Sequence, residues 1–326
     1  MARFGLKVAA LIVAGAGFFT ACSPAAGTAT TGATDAGTSA TKTYKIGVSF
    51  PILDQFLQKV ADGITAEAKA KGAEVSIVAA EEKTDVQLGQ VENFISQKVD
   101  AIIVIPVDTD AAGPMTEAAV AAKIPLVYVN RHPADLPEGV PYVGSDSLYA
   151  GTVQMEQLAK LAGGTGNVVI LQGDPANEAA QLRTKGCTDV VAKNPGMKVT
   201  KTQAGNWYRE KGQSIMENWL QSGDEIKVVC ANNDEMALGA INAIKAANKK
   251  LGADGILVGG VDATSDALAA MKAGDLAVTV FQDAKGQGAG GVDVALKLVA
   301  GETVEATLDI PYVLVTPDNM AEFASK

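Results

Sequence analysis

From residue 44 onward, short continuous apolar runs alternate with segments whose apolar residues recur at helical spacing. Apolar runs at 44–50, 75–78, 101–105, 126–129 and 140–143 predict strands. Between them, Phe56, Val60, Ile64 and Ala68 share one helical face, and further helices are predicted at 84–95, 112–122 and 148–161. The rhythm repeats, with strands at 167–171, 198–204, 227–230, 256–261 and 277–281, and helices at 178–192, 209–221, 235–247, 266–272 and 286–299. A strand that is apolar throughout must be covered on both faces, so this alternation predicts parallel sheets between helices. About ten such units exceed one ordinary sheet. The predicted fold is therefore α/β, with two doubly wound parallel-sheet lobes. Thr84-Asp85-Val86-Gln87 has the form of a capping box opening its helix.

The chain ahead of this body has a different composition. Arg3 and Lys7 precede an apolar run at 8–19, which is too short for a comfortable membrane span. Phe19-Thr20-Ala21-Cys22 resembles a bacterial lipobox. It implies a lipoprotein signal peptide at 1–21, cleavage before Cys22, acylation of its sulfur and an extracytoplasmic, membrane-anchored location. The Ser-, Ala-, Gly- and Thr-rich stretch to residue 43 reads as a flexible tether at 22–43. Loss of 1–21 removes two positive charges and no acid, so the net charge of −10 becomes −12. Such an acidic surface repels phosphate backbones and excludes nucleic acid as a partner. Beyond Cys22 only Cys187 and Cys230 remain. An exported protein can pair them, yet both lie in core-like segments, and two separate buried thiols are slightly favoured.

Polar residues cluster just after the predicted strands. The strand at 101–105 runs into Asp108, that at 126–129 into Asn130 and Arg131, and that at 227–230 into Asn232 and Asn233. The strand at 256–261 ends at Asp262, and that at 277–281 at Gln282. Ligands of open parallel sheets bind beyond the carboxyl ends of the strands, so these side chains are expected to ring a crevice. Amide, carboxylate and guanidinium groups in fixed planes suit a polyhydroxylated ligand. Any one of them can instead be a helix N-cap. Trp207 and Phe56 are candidate stacking faces for a sugar or cyclitol ring, or core aromatics.

At this point the chain resembles the periplasmic sugar-binding proteins of ABC transporters, in the ribose-binding-like group. The resemblance is carried by Ala231-Asn232-Asn233-Asp234-Glu235-Met236-Ala237-Leu238-Gly239-Ala240, by Val258-Gly259-Gly260-Val261-Asp262 and by Gly144-Ser145-Asp146. It implies two lobes joined by three strands, crossing near Ser145, Gln282 and Pro311. The lobes would be 44–145 plus 283–310, and 146–282 plus 311–326. It implies ligand contacts from Asp54, Phe56, Asn130, Arg131, Gln181, Arg183, Trp207, Asn233, Asp262 and Gln282, with Asp108 a further acceptor. Asn130 replaces the Asp of the family's Asp-Arg pair, and Ile105 stands where ribose binders carry Asn. The stretches at 128–131 and 173–180 look more like inositol- or rhizopine-type binders, which favours a cyclitol such as myo-inositol. The implied partners are a small neutral sugar or cyclitol and an ABC permease, with the protein a monomer that touches the membrane only through its lipid.

No enzyme is expected, nor any cofactor or metal. Gly286-Gln287-Gly288-Ala289-Gly290-Gly291 matches a dinucleotide fingerprint literally, but it opens a late helix without a suitable acid about 20 residues on. Close helix packing explains it better. His132 is the sole histidine, which excludes an HExxH zinc site. Two other functions share the same pocket: a sensor presenting ligand to a signalling receptor, and, less favoured, a secreted hydrolase using a carboxylate pair.

Overall fold

In the computed structural model, which describes residues 42–223 and 225–324, the apolar runs become strands in chain order. The first are β1 (Lys45–Phe50), α1 (Gln55–Ala70), β2 (Glu74–Ala79), α2 (Thr84–Ser96), β3 (Ala101–Val104), α3 (Gly113–Ala122), β4 (Leu126–Val129) and β5 (Tyr142–Gly144). Then come α4 (Ser147–Leu161), β6 (Thr165–Gln172), α5 (Glu178–Ala192), β7 (Gly196–Ala204), α6 (Arg209–Gln221), β8 (Val228–Ala231), α7 (Asp234–Ala246), β9 (Leu257–Gly259), α8 (Ser265–Lys272) and β10 (Thr279–Phe281). Finally the chain forms α9 (Ala284–Val299), β11 (Thr307–Asp309) and β12 (Val313–Val315). The lipobox, Cys22 and the tether lie outside the described residues.

The first sheet has six parallel strands in the order β11-β5-β4-β3-β1-β2. Strands β3 and β4 are buried along their whole length, as their unbroken apolar character requires. Alternate side chains serve opposite layers: Ile103, Val127 and Val129 pack with α1 and α9, whereas Ile102, Val104, Leu126 and Tyr128 pack with α2 and α3. The second sheet is parallel in the order β7-β6-β8-β9, with bridges from Gly259 to Val278 and from Asp262 to Phe281 attaching β10. β10 in turn pairs antiparallel with β12. Val169, Leu171 and Val229 face the α6–α8 layer, while Val168, Ile170 and Val228 face α4 and α5.

The chain passes between the sheets three times. It leaves the first after β5, returns between β10 and α9, and crosses again between β11 and β12. β11 has no apolar signal because all three of its residues are exposed, and periodicity does not reveal it.

Three local expectations are settled by packing. The capping box does not form: Lys83 is the N-cap of α2 and makes no side-chain cap bond. Gln87 is instead fully buried and bridges two strand ends, its Nε2 donating to Ser49 Oγ (3.2 Å) and to the Ile105 carbonyl (2.9 Å) while its Oε1 accepts from Val107 N (2.8 Å). A buried amide with three partners outweighs a solvent-side cap. The preference for separate thiols is overturned: packing of α5 on the second sheet puts the Cα atoms of Cys187 and Cys230 6.8 Å apart, and the two form a disulfide. The glycine run of α9 serves packing. A Cβ on Gly288 would lie 2.3 Å from the Val60 carbonyl oxygen, and one on Gly63 would lie 2.4 Å from that of Lys285. The two helices touch backbone to backbone.

Candidate functional site

The carboxyl ends of both sheets face one cleft. From the first sheet, Asn130 follows β4 in a left-handed conformation (φ 67°), one that Asn tolerates better than most residues. Its backbone is held by Val143 O (2.9 Å) and by the Tyr142 hydroxyl, which donates to its carbonyl at 2.9 Å. Its Nδ2 donates to Gln287 Oε1 (2.9 Å), and Gln287 Nε2 donates to Ser145 Oγ (2.9 Å). Arg131 is buried, with Nη1 donating to the carbonyls of Pro106 (3.0 Å) and Val107 (3.2 Å). Desolvation lowers its pKa, opposed by Asp54. Asp54 caps α1 by accepting from Leu57 N (2.7 Å), and burial raises its pKa against these hydrogen bonds and the pull of Arg131. Phe56 sits in the first turn of that helix.

From the second sheet, Arg183 on α5 is the central group. Its Nη1 donates to the Asn232 carbonyl (2.8 Å), and its Nη2 donates to Gln282 Oε1 (3.0 Å) and to the Tyr312 hydroxyl (2.7 Å). Its Nε is buried with no hydrogen-bond partner among the described residues. Asn233 caps α7 through Met236 N (3.0 Å), while its Nδ2 donates to the Trp207 carbonyl (3.1 Å). Cap and site member are thus the same residue. Trp207 has φ 73° and lays its ring over Gly173, where a Cβ would come within 2.2 Å of the indole. Its Nε1 donates to Asn177 Oδ1 (2.9 Å), and the Arg183 guanidinium lies 5.7 Å from the ring centroid. Asp262 is buried, and desolvation carries its pKa well above the usual carboxylate range despite Arg183.

Nine of the eleven expected ligand residues line one chamber: Asp54, Phe56, Asn130, Arg131, Arg183, Trp207, Asn233, Asp262 and Gln282. The chamber has a volume of about 40 Å³ and shares Asp54, Arg131 and Trp207 as walls with an outer chamber of about 320 Å³. Acidic and guanidinium side chains line the inner chamber in equal number, two of each.

Two expected residues lie elsewhere. Asp108 turns back on its own loop, accepting from Asp110 N (2.8 Å) and Ala111 N (3.3 Å). Gln181 is exposed and donates to the Pro175 carbonyl (2.9 Å). For both, a nearby backbone partner captures the side chain. His132 packs edge-on against Tyr142 at 4.4 Å and lines a separate cavity. Sequence reasoning missed Asn177, Gln287 and Tyr312, which support the wall through hydrogen bonds spanning 30 to 157 residues. The cleft is bridged as well: Thr109 N and Oγ1 donate to the Ala176 carbonyl (3.1 and 3.0 Å), Asn177 Nδ2 donates to the Val107 carbonyl (3.0 Å), and Tyr208 bonds Glu82. Among the described residues, no cluster of His, Cys, Asp or Glu could hold a metal, and no helix is long and apolar enough to cross a membrane.

Comparison with known proteins agrees with this geometry. Residues 46–303 match the family described as periplasmic binding protein domain. The chain is 46% identical over 288 residues to a Rhizobium meliloti protein named "Putative rhizopine-binding protein", covering 86% of this chain and 93% of that one. It is 44% identical to an ABC transporter solute-binding protein of Bacillus halodurans solved with bound myo-inositol, with a TM-score of 0.84, covering 88% of this chain and 99% of that one. A Caulobacter myo-inositol-binding protein bound to myo-inositol is 27% identical with a TM-score of 0.80, covering 85% and 95%. Two parallel sheets, three crossings and a polar cleft at the strand ends are thus the type I periplasmic-binding architecture, and the chain belongs to the periplasmic binding protein family, among relatives that are solute-binding proteins of ABC transporters.

Proposed function

We propose that this protein captures a neutral cyclitol, with myo-inositol the favoured ligand, between two lobes and delivers it to an ABC permease without altering it. The observation that carries this reading is the ring of planar donors and acceptors, acidic and guanidinium groups in equal number, with the Trp207 face beside it. A ring of hydroxyls can donate to Asp54, Asp262 and the amide oxygens while accepting from Arg131 and Arg183. Its apolar face can rest on the indole. The relatives with bound myo-inositol support the same class of ligand.

The lobes are residues 44–145 plus 283–310 and residues 146–282 plus 311–326, hinged at the three crossings. Ligand favours the closed cleft by its differential affinity for that form, and the closed form is what the permease engages. Acylation of Cys22 would hold the body at the membrane on its tether; these residues lie outside the described ones.

A thermal-shift panel of myo-inositol, its epimers, pentoses and hexoses tests the assignment. A ligand bound by the native state alone raises the melting temperature, by about 2.7 kcal/mol of stabilisation at one hundred times Kd. Cyclitols are expected to give the largest shifts. Larger shifts with pentoses, or conversion of the ligand, would overturn the proposal.

A further inference from the structure

We infer that Asn177 is a positioning residue that couples closure of the cleft to the setting of Trp207. The inference rests on the two-lobe closure proposed above. Asn177 is the N-cap of α5, a position where an Asn side chain ordinarily accepts from a first-turn N–H, yet it makes no such bond. Its side chain is engaged elsewhere at both ends. Oδ1 accepts from Trp207 Nε1 (2.9 Å), and Nδ2 donates to the Val107 carbonyl (3.0 Å) on the opposite side of the cleft. The same carbonyl accepts from Arg131 (3.2 Å). One line of hydrogen bonds therefore runs from Arg131 in the first wall, through Val107 and Asn177, to the indole of the second. Asn177 is fully buried, so neither end of its amide has water as an alternative partner. None of the cross-cleft partners lines the inner chamber, but Val107 and Asn177 bond side chains that do, Arg131 and Trp207, whereas the contacts of Thr109 with Ala176 and of Tyr208 with Glu82 do not.

If the lobes part, Val107 leaves with the first, and the Nδ2 bond can exist only in the closed form. Its loss should then speed escape of ligand more than it slows encounter, because it forms after the ligand has entered. The test is stopped-flow binding of myo-inositol to the full body, followed by tryptophan emission, for wild type, Asn177→Ala and Asn177→Asp. Asn177→Asp keeps an acceptor for Trp207 but sets a carboxylate oxygen against the Val107 carbonyl. Both variants are expected to raise koff by about tenfold while kon stays within about threefold. Cooperative urea unfolding of each variant checks that it is folded, and Asn177→Asp, of nearly equal volume, serves if Asn177→Ala is not.

Wild-type koff in both variants would overturn the inference. So would fast dissociation in Asn177→Ala alone, because Asn177 would then only orient the ring and not report closure. Either result leaves the cyclitol reading intact if wild type still binds. A wild-type protein silent to myo-inositol would remove that reading, and this inference with it.

Discussion

Asp262→Asn should make the ligand-free protein more stable and the ligand weaker at the same time. The residue is 8% exposed and lines the inner chamber. Its backbone has φ 120°, a region that strains any side-chain-bearing residue. Desolvation raises its carboxyl well above the ordinary 3.8, and Asp234 and Asp54 push the same way, with only Arg183 opposing. The sign follows from proton counting. Between 3.8 and the raised folded value, the native state holds more protons than the unfolded chain, so stability falls as pH rises through that window. At pH 7 the loss is at most about 4 kcal/mol, the free energy of reprotonating a group that ionises near 3.8 when unfolded.

Asn keeps the volume and the same backbone strain and removes the ionisable carboxyl. A gain of about 2 kcal/mol is expected at pH 7, or a rise of about 4–8 °C in melting temperature. The gain should fall to about 0.5 kcal/mol at pH 4 and vanish below about pH 3, where the carboxyl is protonated in both states. Calorimetric titration should show myo-inositol binding weakened by at least about tenfold, or 1.4 kcal/mol, because an amide cannot accept hydroxyl protons on both atoms. Thermal melts at pH 7 and pH 4 with and without ligand decide it. A lower melting temperature at pH 7 would show that Asp262 is satisfied within the fold, and unchanged affinity would remove it from the ligand wall.

Gly288→Ala should destabilise the protein by about 2–3 kcal/mol in urea unfolding, since its Cβ would meet backbone atoms of α1 that cannot yield without parting two helices; a change under about 0.5 kcal/mol would refute backbone contact between α1 and α9. Glu178→Gln should flatten part of the pH dependence of stability. Burial raises that carboxyl to about 7 against the pull of Arg183, with Asp146 adding to the rise. The wild type should therefore lose stability as pH rises from 4.5 to about 7, and the variant should gain up to about 3 kcal/mol at pH 8 with none at pH 4. Melts at both pH values check this, and parallel pH profiles would contradict it.

The parts legible in the sequence are those governed by local pattern. Apolar runs such as that of β3 must be buried on both sides, so the parallel sheets and their helical cover follow from period alone. The residues after the strands were legible because the strand ends open on one cleft. What local pattern could not supply was the choice between competing partners. Asp108 and Gln181 have the chemistry of ligand groups, yet each has a backbone partner two to six residues away. Gln87 has the spacing of a cap and instead bridges the ends of β1 and β3. Asn177 has the sequence position of a cap and faces across the cleft. In each case the outcome depends on which partner is desolvated in the folded chain, and a one-dimensional pattern does not carry burial.

The hydrogen bonds behind the chamber wall also tie it to the crossings between the sheets. Arg183 bonds Gln282, at the second crossing, and Tyr312, at the third. Asn130 reaches Ser145, at the first, through Gln287 of α9. Every crossing is thus one or two hydrogen bonds from a group that lines the inner chamber. Were the three segments simple linkers, their polar groups could be satisfied by water at the surface. Instead Gln282, Gln287 and Ser145 are buried, so each depends on its protein partner. A bound polyol that reorients the Arg183 guanidinium or the Asn130 amide must therefore alter the bonds of the proposed hinge. Ligand occupancy and lobe angle then become one coupled equilibrium, and substitutions at Gln287, which lines no part of the chamber, should shift affinity by changing the free energy of closure.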